Sequence, residues 1–381
     1  MTARGFYILL TGAVLLATAL SVGNAGAFLL GCAALLTWAF SLLSVLLAYL
    51  TCRITQEVDG GSTPRGLPCH FRLSVRLSSL LPIAPLGLRV ALPSGRQSEF
   101  ALAVRTLGDT VGENQFACPH VGAYRVGVTQ LRFRDCFGLF ALTHRVRAAL
   151  PELTVLPNPA EADELSFSPG EGETTAIQRA NADRTTPSDT RAWQEGDELK
   201  RVHWKLSMRR QELMVRTYET PQRADALILI DCAQPDVSAP LRASAVDALT
   251  ESCAGVIKLL LDAHHPVRLP LGIDGKREMS AEQPHAFAAM QLALAHQPFD
   301  RPADFARTLF LAARRVRRTG AAVILTTTLT PAVADAALAL ARTGPRTRFL
   351  LFTEGEMTAE QAKLLHLLTV SGVDAAQTAL R

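Results

Sequence analysis

From Gly5 to Cys52 the chain contains no aspartate, glutamate, lysine, arginine or histidine. A surface helix of a soluble domain needs a polar face, so an uncharged stretch of this length excludes that role. The 48% hydrophobic content set against 19% charged residues is therefore local to one region and does not describe the whole chain. The seven cysteines are odd in number and show no C-x-x-C spacing. That excludes a disulfide framework or a zinc site and points to a reducing compartment. No P-loop, dinucleotide fingerprint or H-E-x-x-H occurs, which removes the sequence case for nucleotide binding or a zinc protease. No G-x-S-x-G elbow occurs either. A net charge of +4 is too small to argue for nucleic acid.

The uncharged opening divides at Ser21–Gly26. As helices, Gly5–Leu20 would run roughly 24 Å and Ala27–Leu50 roughly 36 Å at about 1.5 Å per residue. Both suit a hydrocarbon core about 30 Å thick, the first with help from its flanks. A cleaved signal peptide is the rival reading, but a second apolar run follows at once with no convincing small-x-small site between them. Residues 1–53 are thus expected to form two transmembrane helices. Arg4 precedes the pair, Arg53 and Arg65 follow it, and the turn between carries no charge. Basic outer flanks place both ends on the cytoplasmic side of an inner membrane, with the bulk of the chain cytosolic.

Residues 54–157 read as a β-rich domain. His70–Leu77 alternates apolar and polar, and Leu86–Leu92, Phe100–Thr106, Ala123–Phe133 and Phe140–Val146 follow as strands between Gly-, Pro- or Asn-containing breaks. This spacing predicts a small all-β, sandwich-like domain. Residues 158–190 are polar and rich in Pro, Gly, Ser and Thr, a linker or long exposed loop. Residues 221–381 alternate between periods. Ala226–Ile230 is a buried strand tipped by Asp231, followed by a helix Leu241–His264 and a strand Val267–Ile273. Helices are then expected at Ala281–Ala295 and Arg301–Arg318, a strand at Ala321–Thr326 and a helix at Pro331–Arg342. A strand Thr347–Phe352, a helix Thr358–Thr369 and a short last strand Val373–Ala375 complete the series. Alternation of this kind predicts an α/β unit with a parallel sheet covered on both faces.

Residues 191–220 connect the two halves. Gly196 suits a turn and Asp197 a helix cap. Leu199, Val202 and Leu206 would then line one face of a short helix whose other face carries Lys200, Arg201, Lys205, Arg209 and Arg210. After Gln211, Leu213, Val215 and Thr217 alternate as a strand. Seven basic residues lie between Arg191 and Arg216 beside Trp193 and Trp204, but Glu195, Asp197, Glu198 and Glu212 dilute them. Nucleic-acid binding is therefore not expected. His203 with Ser207 one turn on would allow acid–base chemistry, though spacing alone does not favour it. Anchoring of His203 and Trp204 between the two soluble domains is the preferred reading.

The run of Arg191, Gly196-Asp197, Arg201, His203-Trp204-Lys205, Ser207, Leu213, Val215 and Glu219 resembles the signature of the bacterial domain of unknown function 58 family. Upstream, Asp135-Cys136-Phe137-Gly138-Leu139-Phe140 resembles the family's D-P-F-G-L-F, and Val155-Leu156-Pro157 its V-Y-P. The resemblance implies a Rossmann-like, von Willebrand factor A-like α/β domain behind the membrane hairpin and the β domain. In such domains the first strand ends in D-x-S-x-S, which holds a divalent ion. Here the positions read Asp231-Cys232-Ala233-Gln234-Pro235 and lack both serines. The expected metal site is degenerate, with Asp231 a weak candidate for Mg²⁺ and no cofactor anticipated.

The resemblance further implies a non-enzymatic, membrane-tethered partner of a MoxR-type AAA+ ATPase, acting in assembly or maturation of envelope components. Arg191, Gly196, Asp197, Arg201, His203, Trp204, Lys205 and Asp231 are the residues expected at a partner or interdomain surface. Two alternatives stand beside this. One is a metal-dependent adhesion module that grips a partner carboxylate. The other is a hydrolase using His203.

Overall fold

The computed structural model describes residues 2–93, 95–147, 149–160, 189–194, 202–217, 225–272, 277–300, 302, 304–314, 316 and 319–380. It comprises two compact units, Met1–Leu156 and Pro157–Arg381. The first opens with α1 (Ala3–Val22) and α2 (Ala25–Thr51), both long and apolar enough to cross a membrane. Thr2 caps α1 through its hydroxyl, which accepts from the Gly5 N–H. Gly23 closes the helix in the left-handed region at φ 73°, where a side chain would be strained. Asn24 then caps α2 by accepting from Gly26 and Ala27. The helices pack where side chains vanish. A Cβ on Gly31 would lie 2.9 Å from Leu16 Cγ, and one on Gly12 would lie 3.2 Å from Ala34 Cβ. Small residues of this kind let apolar helices approach closely without polar glue.

The rest of the first unit is built from β1 (Arg53–Val58), β2 (Ser62–Pro64), β3 (Pro68–Leu77), β4 (Leu86–Ala91), β5 (Gln97–Leu102), β6 (Gly108–Ala117), β7 (Gly122–Arg125), β8 (Gly127–Arg134), β9 (Ala141–Arg145) and β10 (Glu152–Leu156). They form sheets ordered β1-β3-β6, β5-β4-β8-β9 and β2-β10-β7. Alternation on β3 buries Cys69, Phe71, Leu73, Val75 and Leu77, which share one core with Leu86, Leu88, Leu131 and Phe133 of the four-stranded sheet. The second half of α2 belongs to that core: Val45 and Ala48 are fully buried, Trp38 stacks edge-on against Phe140, and Tyr49 against Phe133. The strand expected at Phe100–Thr106 lies earlier, at β5. The one expected over Ala123–Phe133 breaks at Val126, beside Gly127 with φ 140°.

In the second unit, β11 (Asp189–Ala192) and β12 (Met214–Thr217) pair antiparallel around α3 (Trp204–Arg210). Of the helix expected over Leu199, Val202 and Leu206, Leu199 lies outside the described residues; Val202 is corrected to an antiparallel bridge with Val215, and α3 begins at Trp204. The main sheet holds β13 (Asp225–Ile230), β14 (Val267–Leu271), β15 (Arg277–Ala281), β16 (Thr319–Thr326), β17 (Arg346–Thr353) and β18 (Asp374–Ala379) in the order β15-β14-β13-β16-β17-β18. All neighbours run parallel except β14 and β15.

Alternate residues of β13 serve opposite faces. Ile228 and Ile230 pack with α4 (Arg242–Asp262) and α5 (Phe287–Ala295). Leu227 and Leu229 pack with α6 (Phe305–Ala313), α7 (Pro331–Arg342) and α8 (Ala359–Val370). The expected helix Ala281–Ala295 is shorter, because Arg277–Ala281 forms the edge strand β15. The helix expected over Arg301–Arg318 spans Phe305–Ala313, and Arg315, Arg317 and Arg318 fall outside the described residues. Gly255 of α4 sits under the incoming chain, where a Cβ would meet the Ala160 carbonyl at 2.6 Å.

Candidate functional site

Counted within the six-stranded sheet, the strand order is 3-2-1-4-5-6, so the winding reverses between its first and fourth strands, β13 and β16. Open sheets wound in this way bind ligands beyond the carboxyl ends of the strands at that reversal. Asp231 and Thr326 occupy those ends, and both are buried. The Thr326 hydroxyl donates to Asp231 Oδ2 at 2.7 Å, and the Ala233 N–H donates to Oδ1 at 3.0 Å. Thr326 in turn accepts from the Thr328 N–H at 3.0 Å. Burial raises the Asp231 pKa, and these two hydrogen bonds oppose the rise only in part.

Each Asp231 oxygen thus already has a protein donor, and Ala233 and Pro235 supply no side-chain oxygen. A Mg²⁺ ion takes near-octahedral oxygen coordination. These residues do not fit one, and among the described residues no group of three His, Cys, Asp or Glu side chains is placed to hold a metal. Cys232 beside it is buried, which pushes its thiol up to about 12 and leaves no thiolate for nucleophilic work near neutral pH. A polar clamp at the same sheet edge has no signal in the sequence. Glu354, after β17, accepts from the Ser238 N–H and hydroxyl, each at 2.8 Å, and these bonds lower its pKa. Ser238 and Glu354 lie 116 residues apart, beyond any local pattern.

The connector forms a second locus. His203 caps α3: its Nδ1 accepts from the Leu206 N–H at 3.3 Å, and its backbone N–H donates to the Met214 carbonyl at 2.8 Å. Ser207, buried, donates to the His203 carbonyl at 3.1 Å and accepts from the Met214 N–H at 2.8 Å. It fastens the helix to β12, and its hydroxyl bonds to backbone groups and not to the imidazole.

Trp204 is 60% exposed. One turn on, Met208 is 82% exposed. Residues four apart share a helix face, so the two form one apolar spot, with Lys205, Arg209 and Arg210 exposed around it. Met208 was not among the expected site residues, although its i+4 spacing from Trp204 is legible in the sequence. Arg191 lies on β11, its side chain outside the described residues, as are Gly196, Asp197 and Arg201 altogether.

Residues 189–353 match the family described as "Protein of unknown function DUF58". The matched stretch takes in the connector, Asp231 and Thr326, and ends at the last residue of β17. Among curated proteins none matches. Of solved structures, the chain is similar to Cwp6 from Clostridium difficile at 8% identity over 86% of this chain and 53% of that one, with a TM-score of 0.20. It is similar to Spo0M, a sporulation control protein from Bacillus subtilis, at 12% identity over 38% of this chain and 58% of that one, with a TM-score of 0.15. The chain spans less than two thirds of either protein.

Proposed function

We propose that this protein is a membrane-anchored interaction factor that grips a protein partner through the α3 surface, with a MoxR-type AAA+ ATPase as that partner. The observation that carries this reading is the exposed pair Trp204 and Met208, framed by Lys205, Arg209 and Arg210, on the segment matched to the family. An aromatic anchor with a flexible thioether beside it, ringed by cations, has the composition of a binding hot spot. The α/β unit is read as von Willebrand factor A-like with a lost ion site. Its strand order and the aspartate ending its first strand support that, while the donors already on both Asp231 oxygens disfavour the ion-dependent adhesion alternative. The His203 hydrolase alternative is disfavoured because its Nδ1 is spent on the helix cap. Basic flanks around two long apolar helices support a two-pass inner-membrane anchor with the bulk of the chain cytosolic.

The test is binding of the full chain in nanodiscs to a purified MoxR-type ATPase from the same genome. Trp204→Ala with Met208→Ala should weaken it by tenfold or more, on the scale of about 1.4 kcal/mol per decade, with the thermal unfolding of the chain unchanged. Equal binding by wild type and the double variant would sink the proposed surface. No binding by wild type would sink the proposed partner.

A further inference from the structure

Three loops close one end of the β-sandwich, and each exposes a large apolar side chain. Leu80 lies between β3 and β4, Leu107 between β5 and β6, and Phe137 between β8 and β9. They are 78%, 62% and 56% exposed. The pairings place them together. Leu77 faces Gly108, Leu86 faces Leu102, and Ile83 bridges Asp135. The same end holds the start of the helical hairpin, because the Thr2 hydroxyl lies 2.8 Å from both the Gly138 and Leu139 carbonyls. Phe137 also stands against Leu36, Phe40 and Leu43 of α2, closing an apolar groove of about 460 Å³.

Helix length decides what meets this end. Trp38 is level with the sandwich, its ring centroid 5.3 Å from that of Phe140. From Asn24 at the hairpin tip to Trp38 the helix rises only about 21 Å, at about 1.5 Å per residue. A hydrocarbon core is about 30 Å thick, so a hairpin whose tip reaches the far side draws the Phe137 turn into the near one. The charges agree. The acids at this end are engaged, Asp109 by Arg76 and Asp135 by the N–H groups of Phe137 and Phe140. Arg4, Arg105 and Arg134 are exposed around them.

We propose that this end of the β-sandwich dips into the boundary between lipid headgroups and acyl chains, with Leu80, Leu107 and Phe137 immersed and Arg4, Arg105 and Arg134 against anionic headgroups. The proposal rests on the hairpin spanning a bilayer. It makes the sandwich a collar seated on the membrane at the base of the hairpin. Apolar side chains backed by basic ones are how a surface lies in an interface without crossing it.

The experiment uses the full chain in liposomes of phosphatidylcholine with phosphatidylglycerol. A nitroxide is attached to Cys136, which is exposed beside Phe137, or to cysteines introduced by Leu80→Cys, Asp59→Cys and Leu29→Cys in a Cys136→Ser background. All four positions are exposed, so the labels disturb no core. Collision with oxygen is compared with collision with a water-soluble nickel chelate. Positions 136 and 80 should favour oxygen several-fold more than position 59, which lies at the opposite end of β1, and the preference at 136 should fall when phosphatidylglycerol is omitted. Chelate-rich spectra at 136 and 80, with position 29 on the hairpin still oxygen-rich, overturn the proposal while leaving the anchor standing. Chelate-rich spectra at position 29 as well overturn both. Shielding of 136 and 80 from both reagents means a protein covers this end, and overturns it too. An unchanged preference without phosphatidylglycerol overturns the headgroup role of the arginines.

Discussion

At the scale of single residues, the carboxyl of Asp231 sets a pH dependence whose sign follows from its surroundings. Burial raises its pKa above the value of about 3.9 expected in the unfolded chain. The native state therefore holds the proton more tightly than the unfolded state. Stability is highest below the unfolded pKa and declines as pH rises through the native one. Asp231→Asn removes that titration. Its amide can still accept from the Ala233 N–H and donate to Thr326, whose hydroxyl has the Thr328 carbonyl 3.2 Å away as a second acceptor. Urea titrations should show wild type gaining on Asp231→Asn as pH falls from 7 towards 4. A gain in the opposite direction would mean the carboxylate is stabilised by a cation. Magnesium gives the companion measurement. A bound ion at a hundred times its dissociation constant would add about 2.7 kcal/mol to stability, a shift no thermal melt could miss. With both Asp231 oxygens occupied, millimolar Mg²⁺ or its removal by chelator should leave the midpoint unchanged.

Elements are held by contacts that a single methyl can break. The chain entering the second unit crosses α4, where the Ala160 N–H donates to the Glu251 carbonyl at 3.1 Å, and Gln291 of α5 donates to the Pro157 carbonyl at 2.7 Å. Gly255 makes this crossing possible, since a Cβ there would meet the Ala160 carbonyl at 2.6 Å and its N at 3.0 Å. Both neighbours are backbone and cannot swing aside. Gly255→Ala should improve helix propensity yet lower stability by about 1–3 kcal/mol as an overpacking change, and hydrogen exchange at the Ala160 amide should accelerate. A stabilised variant with the amide still protected would show that the crossing is loose.

The sequence offered no hint of this crossing, because a glycine inside a helix reads only as a weak helix former. Legibility elsewhere followed burial. Buried strands such as β13, β16 and β17 announce themselves as apolar runs, and β3 by strict alternation. β15 does not, because an edge strand satisfies itself with charge: Arg268 on its neighbour β14 pairs with Glu278 on β15 and with Asp225 on β13. Asp231 was readable as a strand-end aspartate, but its donor Thr326 lies 95 residues away and only the fold joins them. His203 was visible as chemistry and serves as a cap.

Across the whole molecule, the proposed two-pass anchor has a topology that can be measured. On the proposed anchor, two helices of 20 and 27 residues joined at Gly23 and Asn24 return the chain to the side from which it set out. Arg4 and Arg53 flank the pair, and the turn between the helices carries no charge. A basic flank resists translocation, so the proposed anchor has both ends on the cytoplasmic face. An epitope appended after Arg381 should therefore be digested by protease in inverted inner-membrane vesicles and protected in intact spheroplasts. Carbonate washing should leave the chain in the membrane pellet, because on the proposed anchor the exposed Leu10, Leu29, Leu30 and Leu36 are held by lipid and not by ionic contacts. Digestion in spheroplasts would invert the orientation and remove a cytosolic ATPase from the candidates. Release by carbonate would remove the anchor itself.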